Sequence, residues 1–202
     1  MRTLTYYVAT SIDGFIAGPA GETDFFPVEP DLLAHIAEAY PDTMPTHLRA
    51  GLGLGDGNDR FDTVVMGLRT YLPALDVGIT SPYAHLRQFV VSTSLGPSPD
   101  PAVRVVEEDP LGAVRALKQE PGKGIWLAGG GQLAGALLPE IDELIVKTYP
   151  VVAGSGTPMF RAPFDGTAFR LVATRCFGGG STIATYARAE PHHGSAPEPP
   201  RS

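Results

Sequence analysis

Short apolar runs alternate with helix-like patterns along most of the chain. Five runs have the length and the β-branched or aromatic content of strands. They are residues 3–10, 62–67, 87–93, 102–108 and 124–129. Four segments between or after them have helical spacing or helix start and stop residues. They are residues 30–40, 68–75, 109–124 and 132–140. This alternation predicts a largely parallel sheet with helices on both faces.

The C-terminal part of the chain has a different pattern. Three further strand-like segments, 142–152, 168–177 and 181–189, follow one another without an intervening helix. The run Gly178 to Gly180 between the last two is a hairpin signal. We therefore expect an α/β fold with a central mixed, mostly parallel sheet of about eight strands and antiparallel strands at its C-terminal end.

Two segments rich in Gly and Pro interrupt this pattern. Residues 11–30 have the composition of a long loop, and such loops are often functional. Residues 41–60 are interpreted as a flexible excursion rather than a second domain. We expect one domain over residues 1–190 and a loose polar tail over 191–202, in which His192 and His193 bind metal only adventitiously.

Composition and charge exclude some classes of binding partner. The 202-residue chain is 43% hydrophobic with a net charge of −7, so it lacks the concentrated Lys and Arg of a nucleic-acid or polybasic membrane surface. Its start has no signal-type apolar run, and a cytoplasmic location is expected. Cys176 is the only cysteine, so no metal site is expected, and the residue is interpreted as a small buried hydrophobe.

The segment WLAGGGQLAG, residues 126–135, passes from a strand through three glycines into a helix. Backbone amides at a helix N-terminus attract an anion, and glycine allows it to approach closely. A tight strand–helix turn without a ligand is the alternative explanation.

Several segments, in order, resemble the dihydrofolate reductase-like fold, in particular the reductase domain of bacterial bifunctional riboflavin-biosynthesis deaminase-reductases and its stand-alone relatives. They are ATSIDGFIAG (9–18), VVMGLRTY (64–71), VVST (90–93), and IWLAGGGQLAGALL (125–138) followed by IDELIVKTYPVVAGSGTPMF (141–160). The resemblance covers about residues 3–188. It implies an NADPH-dependent oxidoreductase that needs no metal.

The resemblance also implies which residues contact NADPH. They are Ile16, Gly67, Arg69, Thr70, Ser92, Thr93, Gly129, Gly130, Gly131 and Gln132. Leu68 departs from the family pattern, in which an arginine directly follows the glycine. We therefore expect weaker binding of the 2′-phosphate of NADPH. Ser92 and Thr93 have an alternative role as residues that satisfy a turn.

Three acids are candidates for assisting proton transfer to a substrate nitrogen, namely Asp13, Asp24 and Asp31. The resemblance to dihydrofolate reductases favours Asp31, and the loop 11–28 would cover the nicotinamide. Asp31 can instead be a first-turn carboxylate favoured by the helix dipole, and Asp13 can simply belong to an Asp-Gly turn.

The resemblance implies hydride transfer to a small heteroaromatic substrate such as a ribosylaminopyrimidine. The sequence contains no zinc-deaminase segment, so the resemblance implies either a partner-dependent reductase or a stand-alone relative whose substrate has changed, and the second is favoured. The alternatives are a true dihydrofolate reductase and a nucleotide-binding protein without turnover. A homodimer is expected, because the C-terminal strands would leave a sheet edge that needs covering.

Overall fold

The computed structural model describes residues 1–55 and 57–189, and it has the α/β architecture that the sequence predicts. The strands are β1 (Leu4–Thr10), β2 (Phe15–Ala17), β3 (Phe61–Gly67), β4 (Arg87–Val91), β5 (Val103–Val106), β6 (Gly124–Ala128), β7 (Glu143–Thr148), β8 (Thr157–Pro158), β9 (Phe169–Cys176) and β10 (Thr182–Arg188). The α-helices are α1 (Pro30–Ala39), α2 (Thr46–Arg49), α3 (Leu68–Asp76), α4 (Pro110–Gln119) and α5 (Gly131–Leu137). The tail predicted at 191–202, with His192 and His193, lies outside the described residues.

Within the described part of the chain, eight strands form one sheet in the order β5-β4-β3-β6-β1-β7-β10-β9. The pairings from β5 to β7 are parallel, whereas β10 pairs antiparallel with both β7 and β9. The predicted mixed sheet with antiparallel C-terminal strands is therefore confirmed. The strands β2 and β8 form a separate small antiparallel pair.

The two faces of the sheet carry separate hydrophobic clusters. One cluster joins β1 to α1 and α3 through Tyr7, Leu32 and Tyr71, and we call this side the α1–α3 face. The other joins β1 to α4 and α5 and includes Tyr6 and Leu117, and we call this side the α4–α5 face. Because side chains alternate along a strand, consecutive residues of β1 belong to different cores.

The excursion between α1 and β3 has a definite internal structure that its Gly and Pro content does not predict. Asp42 is fully buried, and its carboxylate accepts hydrogen bonds from the backbone N–H groups of Arg60 (2.6 Å) and Phe61 (2.8 Å). The buried Arg49 donates to the carbonyl oxygens of Pro41 (2.7 Å) and Gly57 (2.9 Å). These two charged side chains hold the excursion against the start of β3.

The strand β9 is an exposed sheet edge. It pairs with β10 on one side, and a bulge leaves Val172 without a partner in β10. Leu171 and Val172 are each 53% exposed. The prediction that Cys176 is buried is wrong, because this residue lies on the same strand and no described element covers it. No helix among the described residues is long and apolar enough to cross a membrane.

Candidate active site

Three adjacent parallel strands, β4, β3 and β6, end side by side at one edge of the sheet. Gly67 of β3 lies opposite Val91 of β4, and Met66 lies opposite Ala128 of β6. The segments that follow these pairs contain most of the residues predicted to contact a nucleotide. They are residues 67–70, 92–93 and 129–132. The tertiary structure therefore brings three distant parts of the sequence together at one edge.

The chain leaves β3 and β6 in opposite directions. The helix α3 leads from β3 to β4, whereas α5 leads from β6 past β1 to β7. Tyr71 of α3 packs on the α1–α3 face, and Leu133 of α5 packs on the α4–α5 face. Where connections diverge in this way, a crevice opens outside the carboxyl ends of the strands, and open α/β sheets bind ligands there.

The two helices that flank this crevice begin without a side-chain cap. Gly67 precedes α3 and Gly130 precedes α5, and neither can supply a capping side chain. The helices α1 and α2 also begin without a side-chain cap, whereas α4 is capped by Asp109, whose carboxylate accepts a hydrogen bond from the Gly112 N–H at 2.8 Å. Uncapped N–H groups at a helix start suit an anionic group. The backbone at this edge can therefore accept an anionic group.

The three glycines of the bend are required for different reasons. Gly129 and Gly130 have φ angles of 69° and 85°, a region that favours glycine. A Cβ atom on Gly131 would collide with the carbonyl oxygen of Pro158 in β8, so packing alone explains this glycine. A Cβ atom on Gly130 would have only Leu133 nearby, at 3.9 Å. The open space beside Gly130 is where a ligand can reach the backbone.

The polar side chains at this edge differ in whether they form hydrogen bonds within the protein. Arg69 is exposed, and its guanidinium makes no hydrogen bond or ion pair with any residue that the structure describes. Ser92 is buried, and its hydroxyl accepts from the N–H groups of Ser94 (3.1 Å) and Leu95 (3.0 Å), as the turn alternative requires. Thr93 is exposed.

Two further predicted contacts lie around the glycine bend. The Thr70 hydroxyl is 2.9 Å from where a Cβ atom of Gly129 would be, so its side chain touches the bend. Gln132, in the first turn of α5, is exposed. Arg69, Thr70, Thr93 and Gln132 thus remain available to a ligand, whereas Ser92 supports the backbone.

The first part of the loop 11–28 is attached to the segment after β7. Asp13 accepts hydrogen bonds from Ser11 Oγ (2.6 Å) and from the N–H groups of Ala153 (3.0 Å) and Gly154 (2.7 Å). The Ser11 hydroxyl, followed by these amides, lowers the pKa of Asp13 to about 2. Ile16, in β2, is half-buried against the α4–α5 face. Asp13 thus has a clear structural role in fixing this loop.

The other two predicted acids lie nearer to α1. Asp31 is exposed, and its carboxylate accepts from the N–H groups of Gly178 (2.8 Å) and Leu32 (3.0 Å). The bond from Gly178 is the main reason that the pKa of Asp31 is lowered. At neutral pH this side chain is therefore an anion that accepts hydrogen bonds. Asp24 is exposed, and it makes no hydrogen bond or ion pair within the described ranges.

A buried carboxylate beside Asp31 was not identified from the sequence. Glu29 is only 6% exposed, and its Oε1 atom accepts a hydrogen bond from Ser181 Oγ at 2.6 Å. Its Oε2 atom is buried without a partner among the described residues. Ser181 lies far along the chain, and a glutamate before a proline gives no sign of burial. A buried oxygen without a partner is unusual and marks this position as a candidate for ligand contact.

The α1–α3 face contains further buried polar atoms without partners in the described part of the chain. They are the Tyr7 hydroxyl, His35 Nδ1 and Trp126 Nε1. Burial raises the pKa of Tyr7, an effect that the nearby Thr43 hydroxyl partly opposes, and burial lowers the pKa of His35. The Thr43 hydroxyl itself donates to the Tyr40 carbonyl at 2.9 Å, so it gives the Tyr7 hydroxyl no hydrogen bond of normal geometry. The Tyr7 ring contacts the rings of Tyr40 (centroids 4.9 Å apart) and Trp126 (6.4 Å). These atoms form an aromatic surface with unused hydrogen-bonding capacity.

In this conformation the aromatic surface is covered. Phe26, from the loop before α1, packs on Tyr149 with ring centroids 4.8 Å apart. Two surface cavities lie away from this surface, one beside Arg115 and Glu140 and one beside Phe164. Movement of the loop carrying Phe26 would uncover Tyr149 on this face, as expected of a segment that covers an active site.

Comparison with known proteins identifies the family. A family model described as the RibD C-terminal domain matches residues 2–183. The chain belongs to this family. Among curated relatives, the uncharacterized Bacillus subtilis protein YwjB is 32% identical over 182 residues, covering 88% of this chain and 93% of YwjB. The uncharacterized protein YyaP of the same organism is 26% identical over 197 residues, covering 92% of this chain and 94% of YyaP.

Solved structures place this RibD C-terminal domain among dihydrofolate reductase-like folds. A Shewanella sp. PV-4 protein, provisionally assigned to riboflavin biosynthesis, gives a TM-score of 0.69 at 23% identity, covering 94% of this chain and 100% of its own. An Enterococcus faecalis dihydrofolate reductase complexed with NADP(H) gives 0.63 at 15% identity, covering 93% and 97%. The predicted dihydrofolate reductase-like fold is thus confirmed, and the family is of a reductase type.

A third structural neighbour concerns domain content. The Thermotoga maritima deaminase and 5-amino-6-(5-phosphoribosylamino)uracil reductase gives a TM-score of 0.62 at 15% identity. The match covers 93% of this chain but 57% of the Thermotoga chain. This chain therefore corresponds in fold to only part of that bifunctional protein.

Proposed function

We propose that this protein is an NADPH-dependent reductase that transfers a hydride to a small heteroaromatic substrate such as a ribosylaminopyrimidine. The supporting observation is that α3 and α5 begin without caps on either side of the crevice between β3 and β6. Arg69 is exposed at the same edge and has no hydrogen-bond or ion-pair partner among residues 1–55 and 57–189. Two uncapped helix starts and a free guanidinium suit a phosphorylated dinucleotide.

In this proposal the backbone of Gly129, Gly130 and Gly131 contacts the pyrophosphate, with Gln132 and Thr70 beside it. Arg69 and Thr93 bind the 2′-phosphate side, and Ser92 holds the turn beneath them. The bound cofactor supplies the hydride. The loop containing Ile16 excludes water from the nicotinamide. A cytoplasmic location stays a prediction from the sequence.

The three candidate acids have different places in this scheme. Asp31 lies beside the covered α1–α3 face, where its carboxylate can orient a substrate N–H group. Asp13 fixes the loop rather than reaching the substrate. Asp24 is exposed on the covering loop and can contact the substrate only when the loop closes. The proposed ranking for an effect on turnover is therefore Asp31 first, then Asp24, with Asp13 acting through loop position.

The test is oxidation of NADPH, followed by its absorbance, with a ribosylaminopyrimidine phosphate and with dihydrofolate as separate substrates. Turnover of the aminopyrimidine supports the proposal. Turnover of dihydrofolate alone supports the alternative of a true dihydrofolate reductase. Binding of NADPH without turnover of either substrate, or of other heteroaromatic compounds, supports a nucleotide-binding protein.

The choice of cofactor depends on Arg69, because Leu68 replaces the arginine typical of related sequences. We expect NADPH to be preferred over NADH by a smaller margin than in those relatives. A charge-assisted hydrogen bond is worth about 1.5–3 kcal/mol, so Arg69→Ala should bring the two dissociation constants within about threefold of each other. Calorimetric titration measures both, with Arg115→Ala, an exposed arginine of α4, as control. An unchanged preference in Arg69→Ala would contradict this assignment.

We also propose a homodimer that covers β9. The exposed Leu171 and Val172 give this edge strand an apolar surface that a second copy of the chain could bury. Light scattering of the wild type and of Leu171→Glu tests the idea. The wild type should have the mass of a dimer and the variant that of a monomer, and a monomeric wild type at high micromolar concentration would refute it.

A further inference from the structure

Lys147 is a cation on the inner surface of the α1–α3 face. It lies on β7, opposite Ala9 of β1 and Ile183 of β10, and both neighbours pack into the α1–α3 cluster. Its ammonium lies 4.2 Å from the centroid of the Tyr7 ring. Lys147 therefore shares its surface with the unpartnered hydroxyl of Tyr7 and the rings around it.

The buried cations Lys118, Arg2 and Arg49 have partners among the described residues, whereas the half-buried Lys147 has none of this kind. Lys118 forms an ion pair with Asp142 at 2.9 Å and also contacts Glu140. Arg2 pairs with Asp62, and Arg49 donates to backbone carbonyls. No carboxylate or carbonyl accepts a hydrogen bond from Lys147 within residues 1–55 and 57–189, and only the aromatic ring offers it a weak attraction.

This arrangement is costly for the protein. Burial without a counter-charge lowers the pKa of Lys147 to about 8, because the charged form loses hydration that nothing replaces. A methionine or leucine would fill the same position without that cost. A cation kept here in an unfavourable state is typical of a site whose counter-charge arrives with a ligand.

The groups that surround Lys147 indicate what kind of ligand this is. Tyr7, Tyr40 and Tyr149 present aromatic rings from β1, the end of α1 and the end of β7. The charged and titratable groups on this face also include His35 of α1, Glu29 before α1 and Arg175 of β9. Glu29 forms no ion pair with the lysine in the part of the chain that the structure describes. Aromatic walls favour a planar ring, and the lysine favours an acidic group on it.

We propose that Lys147 is the anion-binding residue of the substrate site and pairs with a carboxylate or ring oxyanion of a planar heteroaromatic substrate. The inference rests on the proposed function for the position of the substrate. It goes further by specifying that the substrate is acidic and that its acidic group lies over the Tyr7 side of β7. Once bound, the anion replaces lost hydration and favours the protonated lysine.

Paired acidic and neutral ring compounds test this assignment. The probes are orotate against uracil and nicotinate against nicotinamide, titrated by calorimetry and by the fluorescence of Trp126, which contacts Tyr7. The wild type should bind at least one acidic probe about tenfold more tightly than its neutral partner. Lys147→Met should lose this preference, whereas Lys123→Met, an exposed lysine elsewhere, should keep it. If no acidic probe binds better than its partner, or if Lys147→Met keeps the preference, the proposal is overturned.

Two further measurements separate this proposal from others. The affinity for the acidic probe should fall about tenfold per pH unit above pH 8, because only protonated Lys147 pairs with it. NADPH affinity should be the same in Lys147→Met and wild type. Failure of the wild type to bind NADPH would refute the proposed function. The preference for the acidic over the neutral probe is then decided by the probe titrations alone. The thermal midpoint of Lys147→Met checks that the variant is folded.

Discussion

Tyr6 and Tyr7 are adjacent in β1, yet they belong to two different environments. The Tyr6 hydroxyl, on the α4–α5 face, donates a hydrogen bond to the Met159 carbonyl at 3.0 Å. The Tyr7 hydroxyl, on the α1–α3 face, is buried without a hydrogen-bond partner of normal geometry among the described residues. The two tyrosines therefore differ in hydrogen bonding because their side chains point to opposite faces of the sheet.

The same contrast holds for two lysines, the buried Lys118 and the half-buried Lys147. Lys118, in α4, is neutralised by Glu140 and Asp142, whereas Lys147 lies on an aromatic ring. The Tyr6 hydroxyl and Lys118 on the α4–α5 face have partners within the protein, as in a structural core, and Nη1 of Arg2 beside α4 is the exception among the described residues. The α1–α3 face leaves several polar groups unsatisfied. The difference indicates that one face of the sheet serves stability and the other serves a ligand.

The largest expected effect comes from the α4–α5 face. Leu117 is buried in α4, and Leu117→Ala should lower the free energy of unfolding by about 2–5 kcal/mol through lost burial and a cavity. Denaturant titration measures this change. NADPH affinity should stay within threefold of wild type under conditions where the variant is folded. A larger loss of NADPH affinity would contradict the assignment of the α4–α5 face to stability and the α1–α3 face to ligand binding.

A smaller effect is expected from Lys147 and depends on pH. Its pKa is lower in the folded chain (about 8) than in the unfolded chain, so between these values the unfolded state binds more protons and stability rises with pH. From pH 8 to 9.5 the free energy of unfolding of wild type should gain about 1–2 kcal/mol relative to Lys147→Met. Below pH 8 the variant should be at least as stable as wild type. Parallel pH profiles would mean that Lys147 has an unobserved partner.

The smallest effect compares the two tyrosines directly. Tyr6→Phe removes a hydrogen bond and leaves the Met159 carbonyl without this partner, so it should cost about 1 kcal/mol. Tyr7→Phe removes a hydroxyl that has no such bond, and stability should change by less than about 0.5 kcal/mol. Thermal unfolding of both variants measures these two changes in stability. Equal losses would show that the Tyr7 hydroxyl is satisfied in solution.

Much of the architecture was predictable because it depends on local patterns. The apolar runs located the main strands, and the glycines at 178–180 located the β9–β10 hairpin. The glycine bend after β6 and the Gly67 turn after β3 were also visible, and both lie at the carboxyl edge as the family resemblance implied. The small β2–β8 pair was not predicted, since strands of two or three residues carry almost no periodicity.

The sequence by itself thus determined the order of strands and helices, the two turns at the edge of the sheet and the family. Only the tertiary structure decided which polar groups have partners. Glu29 meets Ser181 across 152 positions, and Lys147 lies on the ring of Tyr7 from the other end of the chain. The exposure of Cys176 likewise depends on β9 being the last strand of the sheet. Burial and pairing are properties of the packed chain, because the groups that cover or neutralise a side chain come from segments far apart in sequence.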